Sequence, residues 1–233
     1  MTELTRRSFL VGAAATASVG LAACQSNPPP GPAAEAVDPQ LSQYAAMYAP
    51  VYDEPFPIPG VDLSQINPVF LRRNVAYATT EQPGTIVVDP YARYLYHVEP
   101  GGRAMRYGVG VGREGFGWSG EATINAKREW PDWYPPKEMI ERQPEIVPLL
   151  SQLQSGLGVP GGPNNPLGCR ALYLWQGNRD TLYRIHGTFE PWTIGSNVSS
   201  GCIRMINQDI LHLYRRVPIG TKVVVLGGPG GIA

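Results

Sequence analysis

From residue 85 onward the chain is built of short apolar runs and apolar–polar alternations, each closed by Gly, Pro or Asp. Thr85-Ile86-Val87-Val88 is a β-branched run that stops at Asp89-Pro90. Residues 93–98 alternate and stop at Pro100-Gly101-Gly102. The same texture recurs at 104–111, 121–127, 170–175, 182–187 and 222–226. Period-two alternation and β-branched runs between turn residues predict strands. Many short strands at near-regular spacing predict a mostly β fold, a sandwich or barrel-like sheet with a few short helices. Helical signals are confined to 136–142, 144–153 and 207–217. In the last, Asn207 suits the N-cap, Asp209 the positive N-terminal end, and Arg215 and Arg216 the other end, while Ile210, Leu213, Tyr214 and Val217 share one apolar face. His212 on this helix reads as structural or exposed rather than catalytic.

Residues 25–82 lack such periodicity. Pro28-Pro29-Pro30-Gly31-Pro32 is a stiff, extended tether, and four more prolines fall between residues 47 and 60. A segment of this kind builds no core of its own. It reads as a spacer whose second half packs on the domain through Tyr52, Phe56 and Phe70, with one short helix within 64–73. The N-terminus reads as an address. Thr5-Arg6-Arg7-Ser8-Phe9-Leu10 is a twin-arginine export pattern, followed by an apolar stretch too short and too rich in Gly and Ala to span a membrane. Leu21-Ala22-Ala23-Cys24 looks like a lipobox, in which Cys24 is lipidated and anchors the mature chain to a membrane without a spanning helix. The alternative is an ordinary signal peptide with Cys24 incidental. Gln25, where inner-membrane lipoproteins often carry Asp, favours the outer membrane. The expected organisation is a signal peptide at 1–23, a lipidated tether and extension at 24–82, a catalytic domain at 83–228 and a short tail at 229–233. Charge adds little: 19 Lys and Arg balance 19 Asp and Glu, so no basic excess argues for nucleic acid.

The chemistry concentrates in residues 183–209, Y-R-I-H-G-T-F-E-P-W-T-I-G-S-N-V-S-S-G-C-I-R-M-I-N-Q-D. His186 ends an alternating run, and Cys202 stands sixteen positions later, after Ser199-Ser200-Gly201. Cysteine attacks as the thiolate, and a nearby imidazole supplies the cation or base that makes thiolate available. Gly201 lets a substrate approach and turns amide N–H groups towards a developing oxyanion. Taken alone, a lone Cys reads as a small buried hydrophobe and a lone His as a hydrogen-bonded structural residue. Cys and His here lack the ligand clustering of a zinc site, so neither metal nor cofactor is expected.

The whole string resembles the active-site signature of the L,D-transpeptidases of the bacterial cell wall, with their YkuD-type catalytic domain: H-G-T, then I-G, then S-S-G-C-I-R-M, then N and D. V-G-V-G-R-E-G-F-G-W-S-G, K-R-E-W-P-D-W-Y-P-P-K-E-M-I and N-P-L-G-C-R-A-L-Y-L carry the resemblance across roughly 83–226. One position departs: where many members have Ser-His-Gly-Cys, Ser200 replaces the second His. The resemblance implies Cys202 as nucleophile, His186 as its base, and the carbonyl of Gly187 or one nearby as the group that fixes the other ring nitrogen. It implies an oxyanion hole from the N–H groups of Gly201, Cys202 and Ser200. Arg204, Ser199, Trp118, Trp133 and Tyr134 are the expected substrate contacts; for Arg204 a salt bridge ordering the Cys turn is the competing role. The implied substrates are tetrapeptide stems of peptidoglycan, with another stem, or an outer-membrane protein or lipoprotein amine, as acyl acceptor. A hydrolytic L,D-carboxypeptidase or wall-protein-releasing peptidase, or an inactive wall-binding module, would share the sequence. His186 is expected either to deprotonate Cys202 or to pair with it as a thiolate–imidazolium. Cys169 poses a conflict: counting would pair it with Cys202 in an oxidising compartment, whereas the chemistry needs Cys202 as a thiol. Cys169 is therefore read as a free thiol at a strand start, with a reversible bond as the alternative.

Overall fold

Every strand expected from the alternation is present. The computed structural model describes residues 39–112, 118–199 and 201–228. The signal segment, Cys24, the 28–32 tether, Ser200 and the 229–233 tail lie outside the described residues. In chain order the strands are β1 (Arg73–Ala76), β2 (Ile86–Asp89), β3 (Tyr94–Glu99), β4 (Arg103–Gly108), β5 (Val111–Gly112), β6 (Gly120–Glu129), β7 (Ser151–Leu153), β8 (Gly156–Gly158), β9 (Arg170–Gln176), β10 (Arg179–His186), β11 (Asn197–Ser199), β12 (Ile203–Arg204) and β13 (Lys222–Val225). The α-helices are α1 (Pro39–Met47), α2 (Lys137–Arg142) and α3 (Asn207–Tyr214). The fold is mostly β. Nine strands form one mixed sheet in the order β1-β4-β3-β2-β13-β6-β9-β10-β12; β5 pairs with β11, and β7 with β8.

The sheet's middle is fixed by its most apolar runs. Ile86-Val87-Val88 and Val223-Val224-Val225 are buried along their length and pair in parallel, as runs apolar on both faces require. β6 shows the alternation of a strand with one wet face: Ala122 and Ile124 are buried while their neighbours are exposed. α3 packs on β9 and β10 through Ile210, Leu211 and Leu213. Burying each such side chain contributes about 1.5–3 kcal/mol.

The stretch read as a spacer contributes more than packing. α1 is a helix that the pattern did not reveal, and β1 adds an antiparallel edge strand beside β4. The expected helix within 64–73 is two short 3-10 turns, Leu63–Gln65 and Pro68–Phe70, started by the side chains of Asp62 and Asn67. Tyr44, Tyr48, Ile66 and Leu71 join Ile194 and Ile206 in a second apolar cluster. Of the three expected contacts, Phe70 packs on Tyr94 and Phe56 meets Trp130 edge-on, but Tyr52 is 77% exposed. Val51 and Ile58 pair at an isolated antiparallel bridge with Ile58 inward, and Tyr52, next to Val51, turns outward. Glu54, between the two bridge residues, is clamped by Arg170 Nη2, at 2.8 and 2.7 Å from its two carboxylate oxygens.

The start of α3 departs from the expected cap. Ile206 is the N-cap and Asn207 the first helical residue. The Asn207 side chain is used elsewhere: its Oδ1 accepts the Cys169 N–H at 3.1 Å. Asp209 is fully buried rather than facing solvent at the helix end. Its carboxylate accepts the Tyr48 hydroxyl at 3.1 Å and lies 3.5 Å from the Arg72 guanidinium, and burial pushes its carboxyl up to about 7.

Candidate active site

The Cys/His pair is assembled by a parallel strand pairing. β12 lies against β10 with Ile203 opposite Ile185 and Arg204 opposite His186. Continuing that register one residue back sets Cys202 opposite Arg184. In-register neighbours in a parallel pair share a face, and so do residues two apart along a strand. Cys202, Arg184, His186 and Arg204 therefore cluster on one face. Met205 N–H closes the arrangement by donating to the His186 carbonyl at 2.8 Å.

His186 is 4% exposed, and its Nδ1 lies 2.6 Å from the Gly187 carbonyl oxygen. A carbonyl can only accept, so Nδ1 carries the proton and donates. Nε2 then presents a lone pair. Burial is the main force that lowers the imidazole, aided by the Arg204 and Arg184 charges and opposed by the Gly187 hydrogen bond, with the result at about 4. Burial likewise raises the Cys202 thiol above its ordinary range; a hydrogen bond with the Arg184 backbone and the charges of Arg184 and Arg204 oppose it. These shifts favour a neutral thiol beside a neutral imidazole at neutral pH. Of the two expected forms they weigh against the thiolate–imidazolium pair, because desolvation penalises both charged forms.

Gly201 has φ +124°, a left-handed conformation that glycine alone tolerates easily. A Cβ there would also stand 2.9 Å from the Tyr183 ring. Tyr183 in turn stacks on Trp118, with centroids 5.5 Å apart. Trp118 therefore belongs to the rim next to the Cys turn. Trp133 and Tyr134 stand in the arm leaving β6: Trp133 pairs through its backbone with Val159, and the Tyr134 hydroxyl donates to Asp132 at 3.3 Å. Ser199 ends β11, which pairs with β5. The Arg204 guanidinium is 3.1 Å from Glu190 Oε2 and 3.1 Å from Thr193 Oγ1, which ties the segment after His186 to the Cys turn. Two contributors escaped the sequence reading. Arg184 had a signal in the alternation, two residues before His186; Tyr183 had none, since its place beneath Gly201 depends on a long-range approach.

Cys169 is completely buried and is not bonded to Cys202. Its thiol donates to the Asn207 carbonyl at 3.6 Å, and burial pushes it up to about 12. His212 is held by the Tyr107 hydroxyl at 2.7 Å and lowered to about 3, chiefly by burial. A cavity of ≈ 230 Å³ lies between the Pro57–Ile66 stretch and the Thr188–Trp192 loop, lined in part by Trp130, Phe189 and Trp192. Neither Cys202 nor His186 lines it.

Comparison with known proteins bears on the family. The probable L,D-transpeptidase ErfK/SrfK of Escherichia coli K12 is 33% identical over 187 residues, covering 73% of this chain and 54% of that protein. The probable L,D-transpeptidase YbiS of the same strain is 32% identical over 155 residues, covering 64% and 46%. The chain thus spans about half the length of the curated relatives it matches. A solved structure from Brucella melitensis, described as a probable carnitine operon oxidoreductase CaiA, is 54% identical over 71% of this chain and 99% of that one, with a TM-score of 0.46. The L,D-transpeptidase catalytic domain model, YkuD, matches residues 83–225, more than half of the chain and the whole of the strand-built site, so this protein belongs to the L,D-transpeptidase family.

Proposed function

We propose that the protein is a peptidoglycan L,D-transpeptidase that works through a thioester on Cys202. The observation that supports it most is the proton-bearing Nδ1 of His186 on the Gly187 carbonyl, which leaves Nε2 as a base on the face that carries Cys202. As Cys202 Sγ attacks the carbonyl at the L-centre of diaminopimelate in a tetrapeptide stem, its proton passes to Nε2. The oxyanion is received by backbone N–H groups at Gly201, Cys202 and Ser200. The C–N bond to D-alanine breaks, and the imidazolium returns its proton to the leaving amine. An acceptor amine then attacks the thioester, gives a proton to His186, and expels the thiol as a new amide bond forms. Arg204, already engaged by Glu190 and Thr193, acts here by ordering the Cys turn.

Export and anchoring belong to the same proposal: the Arg6-Arg7 pattern and the Leu21–Cys24 sequence support a periplasmic enzyme held to a membrane, the outer one, through lipid on Cys24. Purified enzyme incubated with a tetrapeptide stem and a second stem tests the chemistry by mass spectrometry. Linked product with D-alanine release, and an acyl adduct mapped to Cys202, is the expected result. Hydrolysed stem alone would make it a carboxypeptidase, a stem joined only when a protein amine is supplied would name that acceptor, and no adduct at all would leave a binding module.

A further inference from the structure

We infer that Asn207 is a positioning residue for His186, acting through the Gly187 carbonyl; the inference rests on His186 being the base proposed above. Asn207 is the first residue of α3, and its carboxamide points back at the segment that follows β10 rather than capping its own helix. Its Oδ1 accepts the Cys169 N–H at 3.1 Å. The same oxygen sits against the bare Cα atoms of Gly187 and Gly168, so close that a Cβ on either glycine would collide with it. Its main-chain carbonyl takes the Cys169 thiol at 3.6 Å. One residue is thus wedged between the start of β9 and the peptide that leaves β10.

Gly187 carries the oxygen that fixes the His186 tautomer, at 2.6 Å from Nδ1. Its own N–H is held by the Arg170 carbonyl at 3.1 Å, which secures only one side of the residue. Glycine has the widest backbone freedom of any residue, so the peptide between Gly187 and Thr188 needs a further constraint to keep its carbonyl on Nδ1. Gly168 lies against the Gly187–Thr188 peptide and Ile210 near Gly187, and the Asn207 carboxamide, the polar group nearest Gly187, completes that constraint by filling the space in which Gly187 would move. Thr188 and the residues behind it face the ≈ 230 Å³ cavity, which Asn207 also lines, so that side offers room rather than restraint. Freed from Asn207, the carbonyl can swing away. Nδ1–H then loses its acceptor, and the other tautomer, with the proton on Nε2, becomes populated. That tautomer faces the thiol with a donor and cannot take its proton.

The test uses the full chain with Asn207→Ala and Asn207→Asp, and His186→Ala as reference. Asn207→Ala is expected to lower kcat by about tenfold or more while KM changes little, since proton transfer is impaired and not binding. Nitrogen NMR of the imidazole should show Nδ1–H alone in the unaltered protein and a mixture in the variant, a readout that a merely structural role would not move. Asn207→Asp keeps the acceptor for Cys169 N–H and the bulk against Gly187. It should retain the Nδ1–H form and restore most of kcat, with the acid limb of the rate profile moved up by the added negative charge. Should Asn207→Ala not fold, the Asp variant decides alone: an unmoved acid limb overturns the inference. A folded Asn207→Ala protein with unaltered kcat and tautomer also overturns it, even if it melts earlier. If His186→Ala keeps full turnover, the base assignment fails instead; if it is inactive while Asn207→Ala is normal, only the role of Asn207 fails.

Discussion

The surroundings of Cys202 and of Cys169 make an instructive pair. Each cysteine stands beside the start of a strand, and burial pushes each thiol upward. Cys169 is fully buried, and its Sγ donates to a helix carbonyl. Cys202 is half-buried and stands in a turn opened by Gly201, with a hydrogen bond to the Arg184 backbone and the charges of Arg184 and Arg204 acting on its thiol. The two histidines divide the same way. His212 Nδ1 is taken by the Tyr107 hydroxyl, while His186 gives Nδ1 to a backbone carbonyl and keeps Nε2 for the base role proposed above. Thiol acidity does not separate a reactive cysteine from an inert one here. In the proposed mechanism access, a base in the right tautomer and nearby amide donors do.

The strongest way to break the comparison is to remove each sulfur in turn. Cys202→Ala should lower turnover by about a thousandfold or more at unchanged stability. Cys169→Ala should keep turnover within a few-fold and lose about 1–2 kcal/mol on unfolding, for a small buried side chain and its hydrogen bond. Equal losses of activity would end the distinction. Alkylation gives a second measure. Because burial raises the Cys202 thiol, its rate with a neutral reagent should climb with pH past the ordinary thiol range, while Cys169 reacts only on unfolding. A plateau of fast alkylation at mildly acid pH would restore the thiolate–imidazolium pair.

Stability against pH sharpens the contrast among the buried titrating groups. Asp209 is raised to about 7 from its ordinary 3.8, so the folded state binds its proton more tightly than the unfolded chain does. Its contribution is complete below the unfolded value and is lost as pH rises through about 7. Asp209→Asn should remove that decline, roughly 2–4 kcal/mol at most, in denaturant titrations across the range. His186, lowered to about 4, has the opposite sign: stability is present above the unfolded value near 6.5 and is lost as pH falls through about 4. His186→Gln should flatten only that acid branch. The smallest expected effect is Tyr107→Phe. It leaves His212 Nδ1 without its hydroxyl partner, costing about 1 kcal/mol, and should leave turnover unaltered. A loss of activity there would show that His212 is not merely structural.

Local pattern by itself determined much of this protein. The strands from β2 to β4, β6, β9, β10 and β13 were legible because alternation and β-branched runs report which side chains must leave water, whichever strands they later join. The same holds for the apolar face of α3, and the Cys/His signature was legible as chemistry because its residues stand in one segment. Tertiary structure alone decided the rest. The parallel pairing of β12 with β10, which sets Arg204 opposite His186 and brings Cys202 beside them, joins segments whose two-residue strand is too short to announce itself. Whether Asn207 would cap its helix or reach the Cys169 N–H depended on which glycines arrived beside it. The extension, poor in periodicity, is held by partners far away in sequence: Tyr48 by Asp209, Glu54 by Arg170, and β1 by β4. The resting charge of the site was equally beyond the sequence. A histidine and a cysteine sixteen residues apart leave both the ion pair and the neutral pair open, and the desolvation that disfavours the charged forms exists only once the whole sheet has closed around them.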